Sequence, residues 1–133
     1  MTKKDRQLVF DKYKGKCAYC GCDLQKGWHV DHIQAIRRND SDESIERMNK
    51  IRTTPLVRGQ NSIENYNPAC RQCNIWKSTY NIEQFRKEVA EQIKRLNDYN
   101  ANYRNAKRYG LIIETNIEVK FHFETVCSND CSS

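Results

Sequence analysis

Two Cys-x2-Cys pairs, Cys17/Cys20 and Cys70/Cys73, stand 49 residues apart in the chain. Each pair can hold one edge of a tetrahedron around a thiophilic ion, and four thiolates suit zinc. At a structural site the binding energy of the metal is also folding energy, so such a chain folds around its ion. This sequence needs that staple. Hydrophobic residues make up 38% of it and charged residues 30%, at a mean hydropathy of −0.93, which is lean for a fold held by burial alone. Its 133 residues suffice for one domain. A redox role for either pair would call for a βαβ pattern, which neither has. The seven cysteines are an odd count, and a lysine-rich chain of intracellular character meets a reducing pool that disfavours disulfides. Cys22 could compete as a ligand, but its spacing from Cys20 is tighter than a knuckle uses, and it reads as a spare thiol. Cys127 and Cys131 receive no role.

Leu8, Val9, Phe10 and Tyr13 give residues 3–13 a short helical pattern that ends near Gly15. The Gly-punctuated run from Cys17 to Cys22 predicts a knuckle-like turn, and residues 28–33 are branched and aromatic enough for a short strand. Residues 37–61 are polar, with Pro55 and Gly59 as breakers, and read as a loop or irregular insertion holding one short helix around 44–51. The second cysteine pair runs into a short helix. Apolar residues Ile82, Phe85, Val89, Ile93 and Leu96, at spacings of 3, 4, 4 and 3, predict one helix over 82–96, with Asn81 and Gln84 as its N-terminal cap. A further helical turn or two ends near Gly110. Residues 111–123 alternate like a strand or hairpin, and 127–133 read as a flexible tail.

The formal charge of +6 and pI near 9.0 favour a polyanionic partner. No window approaches a membrane span, and the start leads into no apolar signal core, so a cytoplasmic protein with no membrane partner is expected. Residues 86–108 hold seven Lys or Arg against three Asp or Glu, either a solvated helix face or a phosphate-tracking surface.

Asp31-His32-Ile33, Ser62-Ile63-Glu64-Asn65 and Cys70-Arg-Gln-Cys73-Asn74-Ile-Trp-Lys77, preceded by Cys17-Ala-Tyr-Cys20-Gly, resemble the HNH endonuclease family over residues 15–80. The resemblance implies an α+β fold: a small ββα-metal nuclease core on a four-cysteine zinc knuckle. With an N-terminal helix this core would occupy residues 1–80, and C-terminal helices and a short strand or hairpin over 81–126 would pack on the same domain. The implied activity is metal-dependent hydrolysis of double-stranded DNA, leaving 5′-phosphate and 3′-hydroxyl ends. His32 matches the general base, since an imidazole can take a proton from water near neutrality. Asp31 and Asn74 match the ligands of a single catalytic ion, and their oxygen donors favour Mg2+ or Mn2+ over zinc. Asn65 matches the residue that braces the loop holding the histidine. Lys77, three residues after Asn74, would share its helix face and touch a phosphate.

Two departures accompany the resemblance. Asn74 stands where the family often has histidine, and 32 residues separate His32 from Asn65, longer than in the shortest members. The excess holds Arg37, Arg38, Arg47, Arg52 and Arg58, a candidate DNA-contacting loop, to which Arg71 adds a further cation. Adjacent strand residues point to opposite faces, so the strand is expected to end or distort at Asp31 and His32 if both are to reach one phosphate. His29, His122, Trp28 and Trp76 read as packing residues in preference to metal or base contacts. A non-catalytic zinc-knuckle protein that binds nucleic acid is the alternative function, and a monomer and a homodimer both stay open. Restriction, homing and phage packaging enzymes share the fold, and a bacterial or phage-infected cell is the setting the family suggests.

Overall fold

The hydroxyl of Thr2 accepts from the Asp5 amide at 3.1 Å and starts the first helix, α1 (Lys3–Asp11). In the computed structural model, which describes residues 1–53 and 55–126, only Val9 of α1 is buried. Gly15, at φ +77°, stops the chain beneath the Phe10 ring, and a Cβ there would lie 3.0 Å from that ring. The knuckle turn follows, its ends joined by an isolated bridge between Lys16 and Asp23.

Strand β1 (His29–His32) pairs antiparallel with β2 (Tyr66–Ala69) in a two-stranded sheet, with Asp31 opposite Asn67 and His32 opposite Tyr66. All four residues of β2 are buried, and the chain passes at once into α3 (Arg71–Lys77). The polar insertion holds α2 (Asp42–Asn49), capped by Ser41. Then come α4 (Ile82–Ala90), α5 (Gln92–Tyr99), α6 (Ala101–Arg108) and α7 (His122–Thr125). Asn81 and Gln84 close a reciprocal capping box at the start of α4. The core joins the knuckle to the C-terminal half. Phe85 stacks on Phe121 at 5.1 Å, and the Tyr19 ring meets both edge-on at 5.4 Å, beside Cys17, Ala18 and Ala69. No helix among the described residues is long and apolar enough to cross a membrane.

Two expected elements differ. The helix expected over 82–96 is two helices, because the stripe faces no single wall: Phe85 is buried while Ile93 is 42% exposed, and the chain turns at Glu91. The strand or hairpin expected over 111–123 does not form among the described residues. Asn116 sits at φ +53°, which breaks the extended run, and Ile113 and Ile117 are 84% and 78% exposed, with no sheet beneath them. This segment is instead tied down at its end. The His122 and Phe123 amides donate to the Tyr19 and Ala18 carbonyls at 2.9 and 2.8 Å. The tail expected over 127–133, with Cys127 and Cys131, lies outside the described residues.

Candidate functional site

The turn after α1 and the β2–α3 junction bring four sulfurs together. The Sγ atoms of Cys17, Cys20, Cys70 and Cys73 all lie within 4.8 Å of one another. Cys20 and Cys70 Sγ are 3.8 Å apart, far beyond a disulfide and equal to the edge of a tetrahedron built on metal–sulfur bonds of about 2.3 Å. Backbone amides of Tyr19 and Cys73 point at the Cys17 and Cys70 sulfurs at 3.4 Å. The Cys73 thiol, donating to Cys17, holds the Cys17 thiol down to about 4 and is itself pushed up. The cluster's size and its four soft donors fit zinc. Cys22 is exposed, stands outside the four, and is pushed up to about 12, first by burial and then by its neighbour Cys20.

From the knuckle the site continues inward through Tyr19. Its hydroxyl donates to Asp31 Oδ2 at 2.5 Å and accepts from Asn67 Nδ2 at 3.3 Å, while the buried Asn67 Oδ1 has no partner. Burial first, and then the Asp31 charge, raise the phenol far above its usual range, so Tyr19 acts as a neutral donor. Asp31, only 5% exposed, also receives Lys77 Nζ at 3.0 Å on the same Oδ2. Burial raises the Asp31 carboxyl against the opposing pull of Lys77 and Tyr19.

Lys77 overturns an expectation. It does share the α3 face of Asn74, but it is fully buried, and its ammonium donates to the His32 carbonyl at 2.9 Å as well as pairing with Asp31. A phosphate has no access to it there. Lys77 holds the end of β1, and the phosphate-contact role is withdrawn.

Asp31, His32 and Asn74 border one open cleft of about 580 Å³, which Arg37 and Arg38 also line. Strand β1 ends at His32, as two polar side chains serving one site require. His32 Nε2 is 2.9 Å from Asn61 Oδ1, and its ring stands edge-on to Tyr66 at 5.2 Å. Asn65 pins the turn that follows: its side chain exchanges two bonds with the Gln34 backbone at 2.9 and 3.0 Å and donates to the Gln60 carbonyl at 2.8 Å. Gly59 passes under this turn. A Cβ on it would lie 1.8 Å from the Gln34 carbonyl oxygen, so Gly59→Ala must move backbone. We expect that variant to lose about 1–3 kcal/mol in denaturant melts, as overpacked sites do.

Of the insertion's arginines, Arg58 is a clamp. Its guanidinium bonds the Arg37 and Asp40 carbonyls at 2.9 and 2.6 Å and pairs with Asp42 at 3.0 Å, fixing the loop that carries Arg37 and Arg38. Arg37 itself sits at φ +51°, with Nε buried and unpaired at the cleft. Arg38, Arg47, Arg52 and Arg71 are exposed. His29 is exposed and does not line the cleft. Trp28 packs on Phe10 with Arg6 over its face, and the His122 ring lies against Gly21. Trp76, expected to cover the core, is 53% exposed. In the basic stretch 86–108, Arg86 pairs with Glu83, Arg95 with Glu88, Lys94 with Asp98 and Lys107 with Glu114. A larger groove of about 850 Å³ runs between α4 and residues 112–119, chiefly aliphatic but with Glu83 and Arg86 among its lining, and it shares no residue with the cleft of Asp31 and His32.

Tyr19, Asn61, Gly59 and Asn67 are site residues that the sequence reading does not single out, while Arg58, expected in a DNA-contacting loop, serves as that loop's clamp. Only Tyr19, as the aromatic inside the first Cys pair, carries a local signal. No protein-family model, no curated protein and no solved structure matches this chain.

Proposed function

We propose that this protein is a metal-dependent DNA endonuclease of the HNH type, hydrolysing phosphodiester bonds at the cleft beside the four-cysteine cluster. The observation that carries this reading is the shared cleft: a histidine, a carboxylate and an amide, drawn from β1 and α3, with two arginines at its edge. Zinc in the cysteine cluster holds the scaffold and takes no part in the reaction. Asp31 and Asn74 offer oxygen donors suited to a hard, hydrated ion, and one carboxylate with several retained waters is an ordinary Mg2+ or Mn2+ arrangement. That ion, when bound, supplies charge stabilisation for the phosphate and the leaving oxygen.

The chain's own residues do the rest. With Nε2–H donated to Asn61, Nδ1 of His32 is the nitrogen left to accept a proton from the attacking water. Asn65 holds the backbone after His32, so the ring keeps its aim. Arg37 and Arg38 line that cleft, and their guanidinium groups would pair with phosphate oxygens of a bound strand. The expected products carry 5′-phosphate and 3′-hydroxyl ends.

Supercoiled plasmid incubated with the protein and Mg2+ or Mn2+ is expected to pass to nicked or linear forms, and EDTA to stop the conversion. DNA that shifts on a native gel yet stays supercoiled with either ion would favour the rival, a zinc-knuckle protein that binds nucleic acid without cutting it.

A further inference from the structure

We propose that Tyr19 is a positioning residue that couples the cysteine cluster to Asp31, so that the grip of a phenol anchored in the knuckle sets how well the cleft binds a divalent ion. The inference rests on the nuclease reading for the role of Asp31. Tyr19 lies between Cys17 and Cys20, and its own amide donates to the Cys17 sulfur at 3.4 Å. Its ring is clamped edge-on by Phe85 and Phe121, which leaves the hydroxyl one direction, toward Asp31 Oδ2 at 2.5 Å. Asn67, directly across the sheet from Asp31, fixes the same hydroxyl from the other side.

A single phenol thus spans the two centres. Lys77 reaches the same oxygen, so both protein donors of Asp31 converge on Oδ2, and the carboxylate plane is held by a two-point grip. Partners of this kind, one bond removed from a ligand, orient it, and their loss typically weakens metal binding by about 10–100-fold. Lys77 alone cannot fix the plane, because an ammonium is a point charge that tolerates rotation of the carboxylate.

The test titrates Mn2+ into the zinc-loaded full chain and follows free Mn2+ by electron paramagnetic resonance, with zinc content and melting measured on the same samples. Tyr19→Phe is expected to keep its zinc and its fold while Mn2+ affinity falls by about 10–100-fold. Val9→Ala, which removes a buried side chain of α1 outside the core cluster around Tyr19, is expected to melt earlier and bind Mn2+ as the wild type does. Unchanged Mn2+ affinity in Tyr19→Phe overturns the coupling and leaves the nuclease reading standing. Equal loss in the two variants overturns it too, as general loosening, and so does a Tyr19→Phe chain that sheds zinc along with Mn2+. A wild-type chain that binds no Mn2+ defeats the nuclease reading and this inference together.

Discussion

Replacing Cys17 by serine, or chelating the metal from the four-cysteine cluster, is expected to leave the chain unfolded. Cys17 is fully buried and sits in the core with Ala18, Tyr19, Ala69, Phe85 and Phe121. Around it, among the described residues, stand one two-stranded sheet and short helices, none longer than nine residues. Two strands alone are marginal in water, and so are isolated helices of that length. Structural zinc contributes about 10–16 kcal/mol in small domains, which matches or exceeds the net stability of about 5–15 kcal/mol that a domain commonly has. Loss of the ion therefore removes the whole margin. Far-UV circular dichroism and zinc content, read on the same sample, check this, with one zinc per chain expected in the folded protein. Acid should act in the same direction, because protons compete for the thiolates. Cys22→Ser, outside the cluster, is expected to change stability by less than about 0.5 kcal/mol. A chelated chain with an unaltered cooperative melt would refute the structural role of the metal.

Lys77→Met is expected to cost about 3–5 kcal/mol, the usual penalty for stripping one partner from a buried ion pair. The ammonium is fully buried, and it holds both Asp31 Oδ2 and the His32 carbonyl. Without it Asp31 keeps only the Tyr19 hydroxyl on that oxygen. Burial already raises the Asp31 carboxyl, and losing Lys77 removes the largest opposing influence. A group whose folded-state pKa is raised favours the fold at low pH and ceases to do so as pH rises through that value. The gap in stability between variant and wild type should therefore narrow as pH is lowered, within the range where zinc stays bound. Urea melts at several pH values measure it. Pairing Lys77→Met with Asp31→Asn should lose less than the two single losses combined, since neither change then leaves a lone buried charge. Additive losses would mean that the pair is not coupled.

The parts of this fold legible in the sequence are those set by short-range chemistry. The Cys-x2-Cys spacing announces a knuckle, and the structure brings the four sulfurs together. Asn81 and Gln84 announce the start of α4 through two bonds across three residues. What depends on distant partners was harder to read. Pro68 argues against a strand, yet β2 accepts it because its carbonyl is used by Ala18 while no N–H is needed there. Lys77 reads as a surface cation on a short helix; its burial follows from Asp31, 46 residues earlier, lying beneath it. Ile113, Ile117 and Val119 have strand chemistry, but no neighbouring strand lies beside them among the described residues, and Asn116 bends the run. Among the site residues, Asp31, His32 and Asn74 share the cleft, whereas of the groups that aim them Tyr19 is marked only by its place inside the first Cys pair, and Asn61 and Gly59 work through contacts no local pattern encodes.

On the proposed reading, His32 removes a proton from water at the cleft it shares with Asp31 and Asn74. The most direct test is the rate of plasmid nicking in Mn2+ by the zinc-loaded wild type and by His32→Ala, with zinc content and circular dichroism matched. A general base contributes about 10²–10⁴-fold, so the variant should nick slower by at least about 100-fold while remaining folded and zinc-bound. Equal rates in the two proteins, or no nicking by either, would contradict the account.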